Sequence, residues 1–304
     1  MAAESLPQRG HVSRRRRRTR TSMLRSLSGY AFVAPVVLTA AVFLYLPMAL
    51  SAYWSFTDYN GFDAPRWTGF GNYAALAGSA RFTQALTNTI VYTVATMSVG
   101  PALGLLTALA LNQKIRLVGF FRTVYFLPVT TSLVVTATVW KMLLNENGIL
   151  NSGLSAVGLS GHAWLADPGT SLLSVAAASV WQGFGFETVV FLAALQAIPR
   201  ELYQAASVDG ASAWERFKHV TLPGLRPTLL FVFVVGLIGA FQAYDQMFVM
   251  TRGGPTGSTT TLVYYLIERF QQLDLGMASA VAYVLFLILA VLSYLQMRVS
   301  KEPA

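Results

Sequence analysis

Residues 199–227 read PRELYQAASVDGASAWERFKHVTLPGLRP, a polar island between segments 168–186 and 227–244, which contain no Asp, Glu, Lys or Arg. Pro199 suits the start of a helix, where its missing N–H would have no intrahelical partner, and Leu202, Ala205 and Ala206 follow at helical spacing. Asp209-Gly210 is a turn signal, because glycine accepts a positive φ that most side chains resist. Ser212 with Glu215 three residues on is a capping-box pattern, so a second short helix starts there with Trp214 and Phe217 on its apolar face. Leu222-Pro223 predicts its end, since proline cannot continue the hydrogen-bond ladder. The stretch therefore reads as a helix–turn–helix outside the membrane. On pattern alone it is either an interfacial helix pair without a partner or a docking element.

The flanks are membrane spans. The chain has 304 residues, is 54% hydrophobic and only 12% charged, against about 25% charged in ordinary soluble domains. Six segments are long and apolar enough to cross a bilayer, which takes about 20 helical residues: 30–53, 86–111, 123–144, 171–196, 227–250 and 277–297. The fold class is all-α membrane protein with six transmembrane helices. Zero cysteines exclude disulfides, thiolate metal sites and cysteine nucleophiles. His11, His162 and His219 lie far apart and outside the spans, so no metal site is expected.

The net charge of +9 is concentrated at one end, with eight Arg before residue 26, including Arg14 to Arg18. Three further cations lie in Lys114 to Arg122, four in Arg200 to Arg226 and two at the C-terminus, against Arg66, Arg81, Arg252 and Arg269 on the other side. By the positive-inside rule both termini and the 199–227 loop are expected in the cytoplasm. The basic tail suits anionic lipid headgroups and, lacking interleaved aromatics and a folded platform, does not suit nucleic acid. The run Tyr30 to Tyr53 is longer than the apolar core of a signal peptide and no A-x-A pattern follows it, so it is read as a retained first span.

Several polar groups sit within or beside the spans. The fourth span carries WQGFGFETVVFLAALQAIP, where Gly183 and Gly185 are expected to weaken or unwind the helix and Glu187 falls in the hydrocarbon zone. A carboxyl group there costs about 2.5–3.5 kcal/mol on insertion scales unless it faces protein or water. The fifth span ends FQAYDQMFVMTRGGP, placing Gln242, Tyr244 and Asp245 near its outer half. Gln182, Gly183, Glu187, Gln242, Tyr244 and Asp245 are thus the candidate lining of a solute path. The alternative for the two carboxyl groups is that each hydrogen-bonds to a neighbouring helix or reaches the interface. Gly100-Pro101 and Gly104 form a small-xxx-small pattern in the second span, the loop ENGILNSGLSAVGLSG predicts a turn-rich outer connector, and TTTLVYYLIERFQQ an amphipathic outer helix with Leu262, Tyr265, Leu266 and Arg269 on one spacing.

The string Ala205-Ala206, Asp209-Gly210-Ala211, Trp214, Phe217 and Leu222-Pro223 resembles the EAA loop of permease subunits in binding-protein-dependent ABC importers. The aromatic SAYWSFTDYNGF and WTGFGNYAAL resemble the outer loop that precedes the core domain in carbohydrate-type permeases, and FFRTVYFLP looks like the family. The phrases of the fourth and fifth spans with the GGP turn look most like its carbohydrate and glycerol-3-phosphate branch, and the resemblance extends over about residues 30 to 298. It implies a type I importer permease fold and a basic cytoplasmic tail over 1–28. A first helix with its outer loop would span 29–83, a core domain 84–298 and a cytoplasmic end 299–304. It also implies that Glu201, Gln204, Ala205, Ala206, Asp209, Gly210, Trp214, Phe217, Leu222 and Pro223 dock into a cytoplasmic ATPase. Where the family has Glu before the alanine pair this chain has Gln204, so a charge-assisted bond at that position does not carry over.

The resemblance further implies a second, different permease subunit, a pair of ATPase subunits that hold ATP and magnesium, and an extracytoplasmic substrate-binding protein, all in a bacterial cell membrane. The chain has no G-x-x-x-x-G-K-[ST] and no Gly-Lys dipeptide, so it is expected to hold no nucleotide and to catalyse nothing itself. An ion-coupled secondary transporter working through Glu187 and Asp245 is the alternative, against which stands the lack of an internal repeat. A membrane-embedded enzyme would need a His cluster or a nucleophile elbow, and the spans carry neither.

Overall fold

The structure, a computed structural model, describes residues 32–113 and 117–299. The expectations for the basic tail up to residue 31, for Lys114-Ile115-Arg116 and for residues 300–304 lie outside them. Helix α1, Phe32–Trp54, is a unit by itself up to Tyr53. It is apolar throughout, with a π turn at Ala41–Tyr45, and none of its best apolar window is buried.

The second unit begins at Trp54. A two-residue ladder pairs β1, Thr57–Asp58, with β2, Arg66–Trp67. The short α2, Gly71–Ala77, is anchored by Asn72, whose side-chain amide donates to the carbonyls of Ser55 and Thr57 at 3.0 and 2.9 Å. Helix α3, Ala80–Leu111, starts six residues before the expected span because Ser79 caps it, its hydroxyl accepting from Phe82 N–H at 3.2 Å. Its 32 residues extend about 48 Å at 1.5 Å each, more than the roughly 30 Å of hydrocarbon. One end therefore stands clear of the lipid.

The expected third span is two helices, α4, Val118–Thr130, and α5, Leu133–Leu143, bent by 97°. Pro128 lies just before the break, and the freed carbonyl of Leu127 accepts from the hydroxyls of Thr130 and Thr131 at 2.8 and 3.1 Å. Backbone at membrane depth persists in a bent form only where such partners exist. Beyond it, the expected turn-rich connector contains a helix, α6, Ile149–Ala156. Asn151 organises it, accepting from the His162 N–H and the Trp164 indole and donating to the carbonyls of Glu146 and His162.

Helix α7, Ser171–Ala197, runs unbroken through Gly183 and Gly185, contrary to the expected unwinding. A Cβ at Gly185 would overlap the Tyr125 carbonyl of α4, so this glycine admits a neighbouring backbone rather than loosening its own. With no water to replace a lost backbone bond inside lipid, the helix keeps its ladder. Its most extensive seam is with α3, where a Cβ at Gly104 would come within 2.7 Å of the Glu187 Cβ.

After α7 come α8, Arg200–Val208, and α9, Ala213–Gly224, the latter meeting α10, Arg226–Phe241, at 63°. The expected fifth span breaks after α10 and resumes as α11, Asp245–Met250. The predicted outer helix is α12, Leu262–Gln271, capped by the Thr261 hydroxyl and burying Leu262 and Tyr265. The last span is α13, Leu275–Val299. Of these helices four are long and apolar enough to cross a membrane, or up to six elements if each bent pair is one span. Three apolar clusters hold the unit together, around Val175 and Met247, around Tyr265 and Val281, and around Phe191 and Leu225.

Candidate functional site

A cavity of 310 Å³ opens among α3, α7 and the break after α10. α3 contributes Tyr92, Thr96 and Gly100, α7 contributes Ser179, Gly183 and Glu187, and the break contributes Gln242, Tyr244 and Asp245. Five of the six residues expected on a solute path therefore share one hollow. The sixth, Gln182, is turned elsewhere: its side-chain amide donates to the Thr131 carbonyl at 3.3 Å, satisfying the bend between α4 and α5, and it does not line the cavity.

Glu187 is the seventeenth residue of α7, about 24 Å from one end of the helix and about 15 Å from the other at 1.5 Å per residue. It fits there because Gly100 and Gly104 face it: a Cβ at Gly100 would lie 3.1 Å from Oε2. Oε2 is buried without a hydrogen-bond partner among the described residues. An unsatisfied buried group costs about 1–3 kcal/mol, and more when charged, so this oxygen is held at a cost against the Gly100 face of α3. On the opposite wall Tyr244 stacks on Phe248 at 5.5 Å and leans on Tyr264 at 5.6 Å. The break that exposes Gln242 to Asp245 contains no Pro or Gly. It is held from outside, by the Thr261 hydroxyl donating to the Ala243 carbonyl at 2.9 Å.

Thr261 ends the segment 251–261 between α11 and α12, of which the sequence marks the GGP turn and assigns Thr259 to Thr261 to the outer helix. That segment is tied to two helices: from α3, Asn88 donates to the carbonyls of Gly257 and Thr260 at 2.8 and 2.9 Å and the Thr89 hydroxyl accepts from Leu262 N–H at 2.9 Å, and from α7 Ser171 shares a bond of 2.7 Å with Ser258. Runs of hydroxyl residues such as Ser258-Thr259-Thr260-Thr261 mark this behaviour only weakly in a sequence.

The second site is the loop from Pro199 to Pro227. Helix α8 ends with Ala211 N–H bonded to the Ala206 carbonyl at 2.9 Å and Gly210 N–H to the Ser207 carbonyl at 3.2 Å, with Gly210 at φ +77°. This is a Schellman closure, which requires the left-handed residue that glycine supplies. The capping box forms as expected: Glu215 N–H donates to the Ser212 hydroxyl at 3.3 Å and Ser212 N–H to Glu215 Oε2 at 2.7 Å. The bonds from Ser212 hold the Glu215 carboxyl below the usual carboxylate range. The two short helices are clasped by Arg216 donating to the Ser207 hydroxyl at 2.9 Å and by Tyr203 and Thr221 sharing a bond of 3.0 Å.

One local expectation fails here. α9 does not end at Leu222-Pro223 but passes through a π turn, Phe217–Thr221, to Gly224. Leu222 N–H bonds to the Phe217 carbonyl, one residue further back than in an α-helix, so the chain shifts register immediately before the residue that has no N–H. Trp214 stacks on Phe217 at 5.5 Å. Leu202, Val208, Trp214 and Leu222 leave large apolar surface exposed, and Glu201, Gln204, Ala205, Asp209 and Pro223 are exposed beside them, while Ala206 is half-buried.

A hollow lined by polar groups inside a helical membrane unit, together with a two-helix loop that leaves apolar side chains exposed, is the arrangement of a permease subunit. Residues 100–301 match the model of the binding-protein-dependent transport system inner membrane component, and the chain belongs to that family. It is 35% identical to the lactose transport system permease protein LacF of Rhizobium radiobacter over 93% of this chain and 98% of that protein. It is also 35% identical to the multiple sugar-binding transport system permease protein MsmF of Streptococcus mutans, over 90% and 95%. Among solved structures it is similar to a bacterial ABC transporter involved in import of the acidic polysaccharide alginate, at 25% identity and a TM-score of 0.81, covering 92% of this chain and 97% of that one. The fold is therefore the type I importer permease fold, and the protein is a multi-pass membrane permease subunit of an ABC importer.

Proposed function

We propose that this subunit conducts a sugar or a related polyol or glycerol phosphate through the cavity between α3, α7 and the α10–α11 break. The placement of Gly183, Glu187, Gln242, Tyr244 and Asp245 around one hollow carries the reading. Amides, hydroxyls and a tyrosine ring suit a ligand rich in hydroxyl groups, and relatives named for lactose and multiple sugars support that class. Gln182 acts one step away, by holding the bend that shapes the α4 side of the path.

The 199–227 loop, on this reading, faces the cytoplasm and docks on an ATPase pair that holds ATP and magnesium; hydrolysis is confined to those subunits. Trp214, Phe217, Leu222 and Pro223 with Ala205, Ala206, Asp209 and Gly210 form the contact, flanked by Glu201 and Gln204. A second permease completes the pore and an extracytoplasmic binding protein delivers the solute; a similar alginate ABC transporter in complex with a pentasaccharide-bound periplasmic protein supports the latter. ATP-driven closure of the ATPase pair moves the loop as a rigid body and tilts the spans. The core domain runs over 84–298 and both termini lie in the cytoplasm.

The assembled importer in liposomes tests this. Uptake is expected to require ATP and no ion gradient, and to fall with Glu187→Leu and Gln242→Leu. Unchanged rate and substrate preference in both variants would make these residues helix contacts only and remove the path.

A further inference from the structure

The cavity carries two carboxyl groups, Glu187 and Asp245, and among the described residues no Lys, Arg or His lines it. The nearest cation along α5, Lys141, is engaged elsewhere, its ammonium donating to the Val249 carbonyl at 3.1 Å. The rest of the polar lining is neutral: Tyr92, Thr96, Ser179, Gln242, Tyr244 and Gln246. A cleft lined by charge of one sign, with low-dielectric walls, focuses its field on whatever enters. An anionic solute there would meet repulsion with no compensating donor of positive charge. An ammonium would instead be attracted by the two carboxyl groups, and a hydroxyl could donate to them.

We infer that the cavity is an anion-excluding filter, so that this subunit's wall of the path admits neutral or amine-bearing saccharides and rejects uronates and sugar phosphates. The inference rests on the cavity being the solute path, and it narrows the substrate class of that path. The fold itself does not set the sign of the cargo, since an importer of an acidic polysaccharide shares it. The lining does. Both carboxyl groups approach the hollow from elements fixed by other contacts, Glu187 against the Gly100 and Gly104 face of α3 and Asp245 at the start of α11, so neither depends on a mobile loop to reach it.

The absence of cysteine from the chain permits a direct test. Gly183→Cys places a thiol on the cavity wall where a Cβ meets nothing within 4 Å, and Gln242→Cys reports from the opposite wall. In the assembled importer with cysteine-free partners, each thiol is reacted with two methanethiosulfonates of similar size, one bearing trimethylammonium and one bearing sulfonate. In each case the thiolate forms a mixed disulfide and methanesulfinate leaves. The rate ratio, cationic over anionic, cancels the thiol's own ionisation, and normalising it to that of a small free thiol removes the reagents' intrinsic difference in reactivity.

The expected ratio is about tenfold or more, falling to within about twofold of one when Glu187→Gln and Asp245→Asn are combined. A ratio near or below one at both positions with the carboxyl groups intact overturns the filter but leaves the path standing. A high ratio that the double variant does not move assigns the field to other charges and also overturns it. Thiols unreactive to both reagents in every nucleotide state overturn filter and path together, because no aqueous hollow would then exist.

Discussion

Replacing Gly210 by valine isolates the backbone geometry of the docking loop from everything else in it. A Cβ at this position meets nothing within 4 Å, so the substitution makes no clash, and its whole effect comes from φ +77°. A left-handed conformation costs an L-residue about 1–2 kcal/mol, and β-branching adds to that. If the loop relaxes to a negative φ, the bonds from Gly210 N–H to Ser207 and from Ala211 N–H to Ala206 are lost and the direction of α9 relative to α8 is no longer set. A bias of 1–2 kcal/mol reduces the population of the native turn roughly 5- to 30-fold. Substrate-stimulated ATP hydrolysis by the assembled importer should fall by a similar factor at unchanged membrane level. Gly210→Asn should retain most of the activity, because asparagine is the next-best residue at this helix end. Lys218→Ala, at an exposed position on the same loop, should be nearly silent. Full stimulation in Gly210→Val, with normal insertion, would show that the turn does not orient a docking surface and that the loop is an interfacial helix pair.

Three further outcomes are expected. A reporter active only in the cytoplasm should work when fused within 200–226 and fail within 145–167, and activity from the latter would reverse the assigned orientation. Gly185→Ala should destabilise the purified complex by about 1–3 kcal/mol, as overpacking does, because its Cβ overlaps the Tyr125 carbonyl, whereas Gly183→Ala, which meets nothing, should leave thermal stability the same or higher; equal melting shifts would refute the close approach of α4. Because its folded-state pKa lies below the unfolded value of 4.5, Glu215 stabilises the loop above that pH and loses its effect as pH falls through the lowered folded value. Protection of the Ser212 amide from exchange, taken against its intrinsic rate at each pH, should therefore fall in that acid window, and Glu215→Gln should abolish this pH dependence of the protection; an identical profile in the variant would mean the capping bond is not what titrates.

Local chemistry makes the docking loop legible from its residues alone. Pro199, Asp209-Gly210 and the Ser212–Glu215 pair act over four residues or fewer, and the helix end, the left-handed turn and the capping box all appear where those residues stand. The length of each apolar run likewise shows which segments are lipid-sized, because a bilayer measures helices by a single dimension. Pro223 misleads because its effect depends on whether neighbouring turns can shift register, and the π turn before it does so.

Where spans bend, and which polar side chains meet, are not written locally. The break at Gln242 to Tyr244 has no local signal, being held by a hydroxyl 18 residues away, from Thr261 to the Ala243 carbonyl. The 97° turn near Pro128 is stabilised in part by Gln182, whose own spacing on α7 suggests the cavity instead. Gly185 carries no mark that separates a loosened helix from one pressed against another backbone. Composition and periodicity, acting along the chain, determined a membrane protein with a capped polar loop. The cavity that gathers Gly183, Glu187, Gln242, Tyr244 and Asp245 was decided by packing, because inside lipid a backbone group freed by a bend must find its partner on another helix.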